Sequence, residues 1–197
     1  MTAHSSGVVF DLDDTLIDTA GVLLPDALRR VAAATGLALS DLDASGKRID
    51  EVLRTAGPLT DEQRAAAAAA WYSPSLPDLA PLPGARAMLG ALEGRTLLFL
   101  LTRGDPARQQ AKIDRCGLAP FFDETIIRPI EQPGSKADDL RGILSRYALA
   151  PERLAVVGDD PRDELKHAAA LGCPVFPVPQ TPLADLPRLL AAAGLIA

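Results

Sequence analysis

Residues 7–16 read GVVFDLDDTL, a short apolar run that passes directly into a group of aspartates. The run has the composition of a buried strand, and Asp11 and Asp13 follow where that strand would end. In open parallel sheets ligands bind beyond the carboxyl ends of the strands, so this position suits an active site. Asp-Asp-Thr is also common in turns and helix caps, so the stretch alone leaves both interpretations open.

The rest of the chain alternates apolar runs with helical patterns, which predicts an α/β fold with a parallel sheet covered by helices. Four further strands are expected at residues 96–101, 124–127, 154–158 and 174–178. Residues 105–106 and 160–161 are both Asp-Pro, which places a helix cap before a proline at the first helical position. The pattern is that of a doubly wound fold.

Residues 18–82 break this alternation. They contain helical patterns, including the alanine run 65–70, but no convincing strand. We therefore predict a core formed by residues 1–17 and 83–197, with residues 18–82 inserted into it as a small helical domain.

Two other helix starts offer groups that bind phosphate. Thr102, Arg103 and Gly104 follow the second strand and provide a hydroxyl and free backbone amides near a helix N-terminus. Lys136 opens the helix before the fourth strand, and a lysine in a first turn is unfavourable against the helix dipole. A bound anion explains that lysine better than solvation does.

The fourth strand ends in another acidic cluster, residues 158–163, with the sequence GDDPRD. Asp160 is explained by capping the next helix, but Asp159 and Asp163 are not. Several acids so close together repel one another unless a cation lies among them.

Taken in order, residues 11–15 (DLDDT), Thr102, Lys136 and residues 158–163 resemble the four motifs of the haloacid dehalogenase-like hydrolase superfamily. The resemblance covers essentially all of the chain outside the insertion. It implies a Rossmann-like, three-layer core with strand order 5-4-1-2-3 and, for an insertion at this position, a helical cap that moves.

The resemblance also implies roles for individual residues. Asp11 would attack phosphorus and become an aspartyl phosphate, while Asp13 would protonate the leaving alcohol and then activate water. The phosphoryl group would be held at Thr102, Arg103, Gly104 and Lys136. Mg²⁺ would be bound by Asp11, the backbone carbonyl of Asp13, Asp159 and Asp163, with Asp160 as the alternative for the last position.

The predicted function is therefore that of a magnesium-dependent hydrolase of phosphate monoesters, acting on a small phosphorylated metabolite. Halide displacement is disfavoured, because members of the superfamily with that activity typically lack the second aspartate and the metal. Two alternatives stay open: a phosphomutase, whose core motifs are the same, and a non-catalytic regulatory protein that binds phosphate ligands.

Composition limits the partners. The net charge of −6 and the pI near 4.9 disfavour a nucleic-acid binder. No secretory signal or membrane-length apolar run is visible, so we expect a cytoplasmic monomer or homodimer with no membrane partner. Substrate choice is expected to depend on the insertion, through Lys47, Arg48, Arg54, Trp71 or Tyr72.

Overall fold

The computed structural model describes residues 5–46, 48–73 and 75–196, and the centre of the fold is a parallel sheet. Its strands are β1 (Gly7–Phe10), β2 (Leu97–Arg103), β3 (Glu124–Arg128), β4 (Leu154–Gly158) and β5 (Val175–Pro177). They lie in the order β3-β2-β1-β4-β5, and each neighbouring pair is parallel. The predicted order 5-4-1-2-3 is this order counted from the other edge, so the predicted Rossmann-like α/β fold is confirmed.

The register of the three central strands brings their carboxyl ends together. Phe10 at the end of β1 pairs with Leu100 of β2 and with Val157 of β4. All four residues of β1 are buried, as expected for a strand with helices on both faces. The residues that follow Phe10, Leu100 and Val157 therefore meet at one edge of the sheet.

Helices connect the strands and cover them. In chain order they are α1 (Leu24–Thr35), α2 (Ile49–Val52), α3 (Asp61–Trp71), α4 (Ala85–Leu92), α5 (Pro106–Arg115), α6 (Lys136–Arg146), α7 (Glu164–Leu171) and α8 (Leu186–Ala192). One apolar cluster joins α6 and α7 to the sheet and includes Phe99, Leu140, Ile143 and Leu154. Among the described residues, no helix is both long and apolar enough to cross a bilayer.

The start of α7 differs from the sequence prediction. Asp160-Pro161 predicts a cap followed by helix, yet α7 begins at Glu164. The Asp160 carboxylate accepts a hydrogen bond from the backbone N–H of Arg162 (2.8 Å), and the N–H of Asp160 itself donates to the Glu164 carboxylate (2.8 Å). Asp160 therefore stabilises a turn before the helix, and Glu164 becomes the first helical residue.

The chain divides into two compact units, Met1–Asp18 with Ala80–Ala197, and Thr19–Leu79. The second, here called the helical unit, contains α1, α2 and α3. Thr60 caps α3 by accepting from the N–H of Gln63 (3.2 Å), and the Gln63 side chain in turn accepts from the N–H of Thr60 (3.1 Å). The apolar core of this unit is formed by Ala27, Val31, Leu42, Val52, Leu53, Ala67 and Trp71. Whether it acts as a cap stays a prediction.

Of the residues predicted to select the substrate, those that the structure describes lie in the core of the helical unit or on its surface. Trp71 lies in the apolar core, and Tyr72 is exposed. Arg48 pairs with Asp50 and Arg54 with Asp43, each at 3.1 Å, in exposed ion pairs. Lys47 lies outside the described residues.

Candidate active site

Asp11 lies at the exit of the central strand, where the sheet fixes its position. Its backbone N–H donates to the carbonyl of Val157 (3.0 Å), which extends the pairing with β4. The side chain is 10% exposed, and its Oδ1 accepts a hydrogen bond from Lys136 Nζ at 2.7 Å. Burial raises the pKa of Asp11 to about 7, while the Lys136 ammonium acts in the opposite direction. The carboxylate is thus kept from bulk water with a cation beside it, as attack on an anionic group requires.

Lys136 links three acids at this edge. Its Nζ lies 2.7 Å from Asp11 Oδ1, 2.8 Å from Glu164 Oε2 and 3.6 Å from Asp163 Oδ2. Burial alone would lower the pKa of this lysine, but the charges of Asp11 and Glu164 raise it above its ordinary value. The side chain is therefore a buried, permanently charged ammonium, a group suited to holding phosphoryl oxygens.

Glu164 belongs to this cluster although no sequence motif pointed to it. It is 2% exposed and accepts hydrogen bonds from Lys136 and from the backbone of Asp160. Gly158 makes its position possible, because a Cβ there would lie 2.6 Å from Glu164 Cγ. The glycine at the end of β4 therefore serves close packing, and it lets a carboxylate fold back against the strand exit.

Asp11, Asp159 and Glu164 form a candidate metal centre. One carboxylate oxygen from each lies within 4.8 Å of the other two. An all-oxygen, anionic donor set is the chemistry that Mg²⁺ prefers. Lys136 is a single positive charge among these acids, so a further cation would be favoured electrostatically. The residues present therefore fit the predicted magnesium ion.

The other predicted ligands lie beside this group. Asp163 is 38% exposed, at 3.6 Å from Lys136 Nζ and 3.7 Å from His167 Nε2. Asp160 occupies the turn before α7. Among the described residues, neither belongs to the three-acid group, so direct ligation by Asp163 stays a prediction and Glu164 becomes the stronger candidate.

Asp13 points toward α5. Its Oδ1 accepts from Lys112 Nζ at 2.7 Å and its Oδ2 from Gln109 Nε2 at 2.9 Å. The side chain is 28% exposed, which leaves a face that a substrate can reach. A carboxylate two residues beyond Asp11 and oriented by two donors has the geometry of an acid–base group serving the same substrate.

The predicted phosphate-binding segment is partly corrected. Thr102 is buried, and its Oγ1 accepts from Gln109 Nε2 at 2.5 Å, which leaves its own hydroxyl hydrogen to donate. The Gly104 amide was expected to be available to phosphate, but it donates to the Arg128 carbonyl at 3.0 Å because β2 continues its pairing with β3. Arg103 is exposed and donates to the carbonyl of Ile130 at 3.0 Å.

Three residues of the site, Glu164, Lys112 and Gln109, lie outside the predicted motifs but share a pattern in the sequence. Glu164 shares one face of α7 with Ala168 and Leu171, so it is an acid on an apolar stripe. Lys112 and Gln109 stand in the same way on the buried face of α5. A charged or amide side chain on a predicted buried stripe indicates a buried polar partner elsewhere in the chain.

Comparisons with known proteins give one family model and several relatives. The sequence model of the haloacid dehalogenase-like hydrolases matches residues 6–172. The chain is 31% identical over 94 residues to pyrimidine 5'-nucleotidase YjjG of Escherichia coli (strain K12), covering 43% of this chain and 39% of that protein. It is 36% identical over 92 residues to a phosphoserine phosphatase of Thermus thermophilus, covering 46% of this chain and 37% of that protein. The matched stretch thus spans less than half the length of these curated relatives.

Solved structures show the same fold over nearly the whole chain. A predicted phosphoglycolate phosphatase from Haemophilus somnus 129pt is similar with a TM-score of 0.71 at 17% identity, covering 96% of this chain and 99% of that one. A putative β-phosphoglucomutase from Thermotoga maritima gives a TM-score of 0.69 at 20% identity, covering 95% of this chain and 99% of that one. At these identities the likeness concerns the fold alone.

Proposed function

The chain belongs to the haloacid dehalogenase-like hydrolases, and from that premise we propose that it is a magnesium-dependent phosphatase of small phosphorylated metabolites. The observation that carries the proposal is the buried contact of Asp11 with Lys136 at the strand exit, with Asp159 and Glu164 beside it. This arrangement offers a nucleophile, a phosphoryl-binding cation and a magnesium site within one cluster.

In the proposed first step, a carboxylate oxygen of Asp11 attacks phosphorus and the bond from phosphorus to the ester oxygen breaks. Asp13 donates a proton to the leaving oxygen, so the alcohol departs neutral. Lys136 and the hydroxyl of Thr102 donate to the phosphoryl oxygens, where negative charge develops. The product of this step is an aspartyl phosphate at Asp11.

In the second step, water attacks the same phosphorus and the bond to Asp11 breaks. Asp13, now ionised, takes the proton of the attacking water, which returns both carboxyl groups to their starting states. The contacts of Lys112 and Gln109 with Asp13 hold its carboxylate in one orientation for both steps. Inorganic phosphate is released.

Mg²⁺ would be held by Asp11, the backbone carbonyl of Asp13, Asp159 and Glu164, with Asp163 in reach through water. When bound, it supplies positive charge that offsets the repulsion between an anionic nucleophile and an anionic substrate. Asp11 would therefore have two duties, as nucleophile and as ligand, and its buried position beside the Lys136 ammonium suits both.

We further propose that the helical unit acts as a cap that selects the substrate in the cytoplasm. The names of the curated relatives suggest nucleoside monophosphates and phosphoserine as first compounds to test. Arg48 and Arg54 are the charged side chains of this unit that we assign to substrate contacts. Their present partners are exposed acids, so exchanging those partners for a substrate anion costs little.

A phosphomutase is the second candidate, favoured by the structural likeness to a putative β-phosphoglucomutase. Such an enzyme would pass the phosphoryl group from Asp11 to a second hydroxyl of the substrate, where the phosphatase passes it to water. The two candidates differ in product, an isomeric sugar phosphate or inorganic phosphate.

The test is an assay of released inorganic phosphate with an aryl phosphate and a panel of phosphorylated metabolites, in Mg²⁺ and in chelator. We expect Mg²⁺-dependent phosphate release that is absent from the Asp11→Asn protein. Activity that persists in chelator, or in that variant, would refute the proposal. Isomerisation of a hexose phosphate without phosphate release would favour the mutase.

A further inference from the structure

Helix α5 turns two polar side chains toward the interior, one helical turn apart. Gln109 is 2% exposed and Lys112 is 5% exposed, and the same helix buries the apolar Ile113. An amide and an ammonium are costly to bury unless their hydrogen bonds are made. Their presence on this face therefore requires partners, and the structure provides them.

Both side chains bind Asp13, and each takes a different oxygen. Lys112 Nζ donates to Oδ1 at 2.7 Å, and Gln109 Nε2 donates to Oδ2 at 2.9 Å. A carboxylate held at one oxygen can still rotate about its terminal bond, but one held at both oxygens cannot without breaking a contact. The two donors thus fix the plane of the Asp13 carboxylate.

Gln109 also joins Asp13 to the predicted phosphoryl ligand Thr102. An amide nitrogen carries two hydrogens, and here the second one points at Thr102 Oγ1, 2.5 Å away. The reverse orientation of the amide would place its oxygen against a carboxylate oxygen, which is repulsive, so the network determines the orientation. Because Thr102 accepts from Gln109, its hydroxyl hydrogen remains to donate to a phosphoryl oxygen.

Gly104 provides a second, independent observation that the position of the Gln109 side chain is constrained. A Cβ at position 104 would lie 2.9 Å from both Cγ and Cδ of Gln109. Any larger residue there would push the amide away from the strand exit. The lack of a side chain at this position lets Gln109 lie across the end of β2.

We propose that Gln109 and Lys112 are positioning residues that hold the Asp13 carboxylate and the Thr102 hydroxyl in one geometry. The inference rests on the proposed phosphatase function and goes beyond it, because it assigns residues outside the four motifs. Lys112 acts through Asp13, Gln109 acts through Asp13 and Thr102, and neither is assigned a contact with the substrate. Their loss should therefore resemble a partial loss of Asp13.

The experiment measures how strongly kcat/KM depends on the leaving group of the substrate. The ratio kcat/KM reports steps up to the first irreversible one, here departure of the leaving group. A nitrophenolate departs without a proton, whereas a primary alkoxide needs one from Asp13. We expect Lys112→Met and Gln109→Leu to lower kcat/KM about 10–100-fold more for a primary alkyl phosphate than for nitrophenyl phosphate.

Two controls separate positioning from general damage. Gln110→Leu lies on the exposed face of α5, where Gln110 binds Asp114, and should leave both rates unchanged. In an Asp13→Asn background, adding Lys112→Met should cause no further selective loss, because the group through which Lys112 acts is gone. The Mg²⁺-dependent rise in melting temperature should be retained in each variant.

The outcomes are distinct. A selective loss on the alkyl phosphate that vanishes in the Asp13→Asn background supports the inference. Equal losses on both substrates, no loss, or an undiminished selective loss in that background would overturn it while leaving the phosphatase assignment intact. A parent protein that hydrolyses neither substrate with Mg²⁺ would instead refute the proposed function. If Lys112→Met fails to fold, Gln109→Leu decides alone.

Discussion

The strand-exit edge of the sheet and the core of the helical unit bury different kinds of side chain. At the edge, buried or nearly buried charged groups include Asp11, Lys112, Lys136 and Glu164. In the helical unit, Thr35 is the one buried polar residue among those described, and its hydroxyl is satisfied within α1 by the carbonyl of Val31 at 2.7 Å. The charged side chains of this unit pair in exposed or partly buried positions, as Arg48 does with Asp50 and Arg30 with Asp26.

This difference indicates where each region's sequence is constrained by stability and where by chemistry. An apolar core adds to stability through burial alone. Buried ion pairs are often no better for stability than apolar residues of similar volume, because desolvation offsets their attraction. A cluster of buried ion pairs at the carboxyl ends of parallel strands is therefore better explained by function. Substitutions in the two regions should differ in their effects on activity and on stability.

The largest effect is expected at Asp11. Asp11→Asn replaces the nucleophile by a nearly isosteric amide, so turnover should fall by more than about 10³-fold while the fold is retained. Phosphate release measures the fall in turnover, and circular dichroism shows whether the fold is retained. Substantial activity in the purified variant would remove Asp11 from the centre of the mechanism.

Lys136→Ala should have the next largest effect and should act on all substrates alike. Each substrate presents the same phosphoryl group, so we expect a common fall in kcat/KM of about 10²–10³-fold. The variant also leaves Asp11 and Glu164 without their shared cation, so its melting temperature in chelator should drop. Losses that differ strongly between substrates would show that Lys136 contacts the leaving group.

A matched pair of neighbouring acids tests the metal centre. Glu164 is buried beside Asp11, whereas Asp163 is partly exposed, so Glu164→Gln should weaken Mg²⁺ binding about 10–100-fold and Asp163→Asn much less. The midpoint of Mg²⁺ activation and the Mg²⁺-dependent shift in melting temperature both report this. The opposite ranking would restore Asp163 as the ligand.

The smallest effects are expected in the helical unit. Arg54 forms an exposed pair with Asp43, so Arg54→Ala should change stability by less than about 1 kcal/mol. Hydrolysis of a small aryl phosphate should be almost unchanged, while the ranking of natural substrates shifts by about 1.5–3 kcal/mol if a charged hydrogen bond is lost. Equal losses on aryl phosphate and metabolites would mean that this unit supplies catalytic groups.

The sequence allowed the fold and the first layer of the site to be predicted because both depend on local pattern. Apolar runs such as residues 154–158 give strands, and parallel strands bring their carboxyl ends together whatever the details of packing. Asp11 and Asp159 could thus be placed at one edge without coordinates. Lys136, far along the chain, was assigned to the same site from the order of the motifs, and it contacts Asp11.

The partners Glu164, Gln109 and Lys112 could not be predicted in the same way. Lys112 reaches Asp13 across 99 positions, and the contact depends on the rotation of α5 about its own axis. Glu164 enters the site because α7 begins after the turn at Asp160, where the Asp160 N–H donates to the Glu164 carboxylate. Such contacts are set by tertiary packing.

The most direct test of the account is to trap the phosphorylated enzyme. Asp13→Asn removes the base of the second step, so after reaction with an aryl phosphate and Mg²⁺ the protein should accumulate phosphate on one residue. Acid quench, peptic digestion and mass spectrometry would locate it. The account predicts one phosphoryl group on the peptide containing Asp11, absent when Asp11 is also changed to asparagine. Phosphate on another residue, or steady turnover with no phosphorylated protein in that variant, would contradict it.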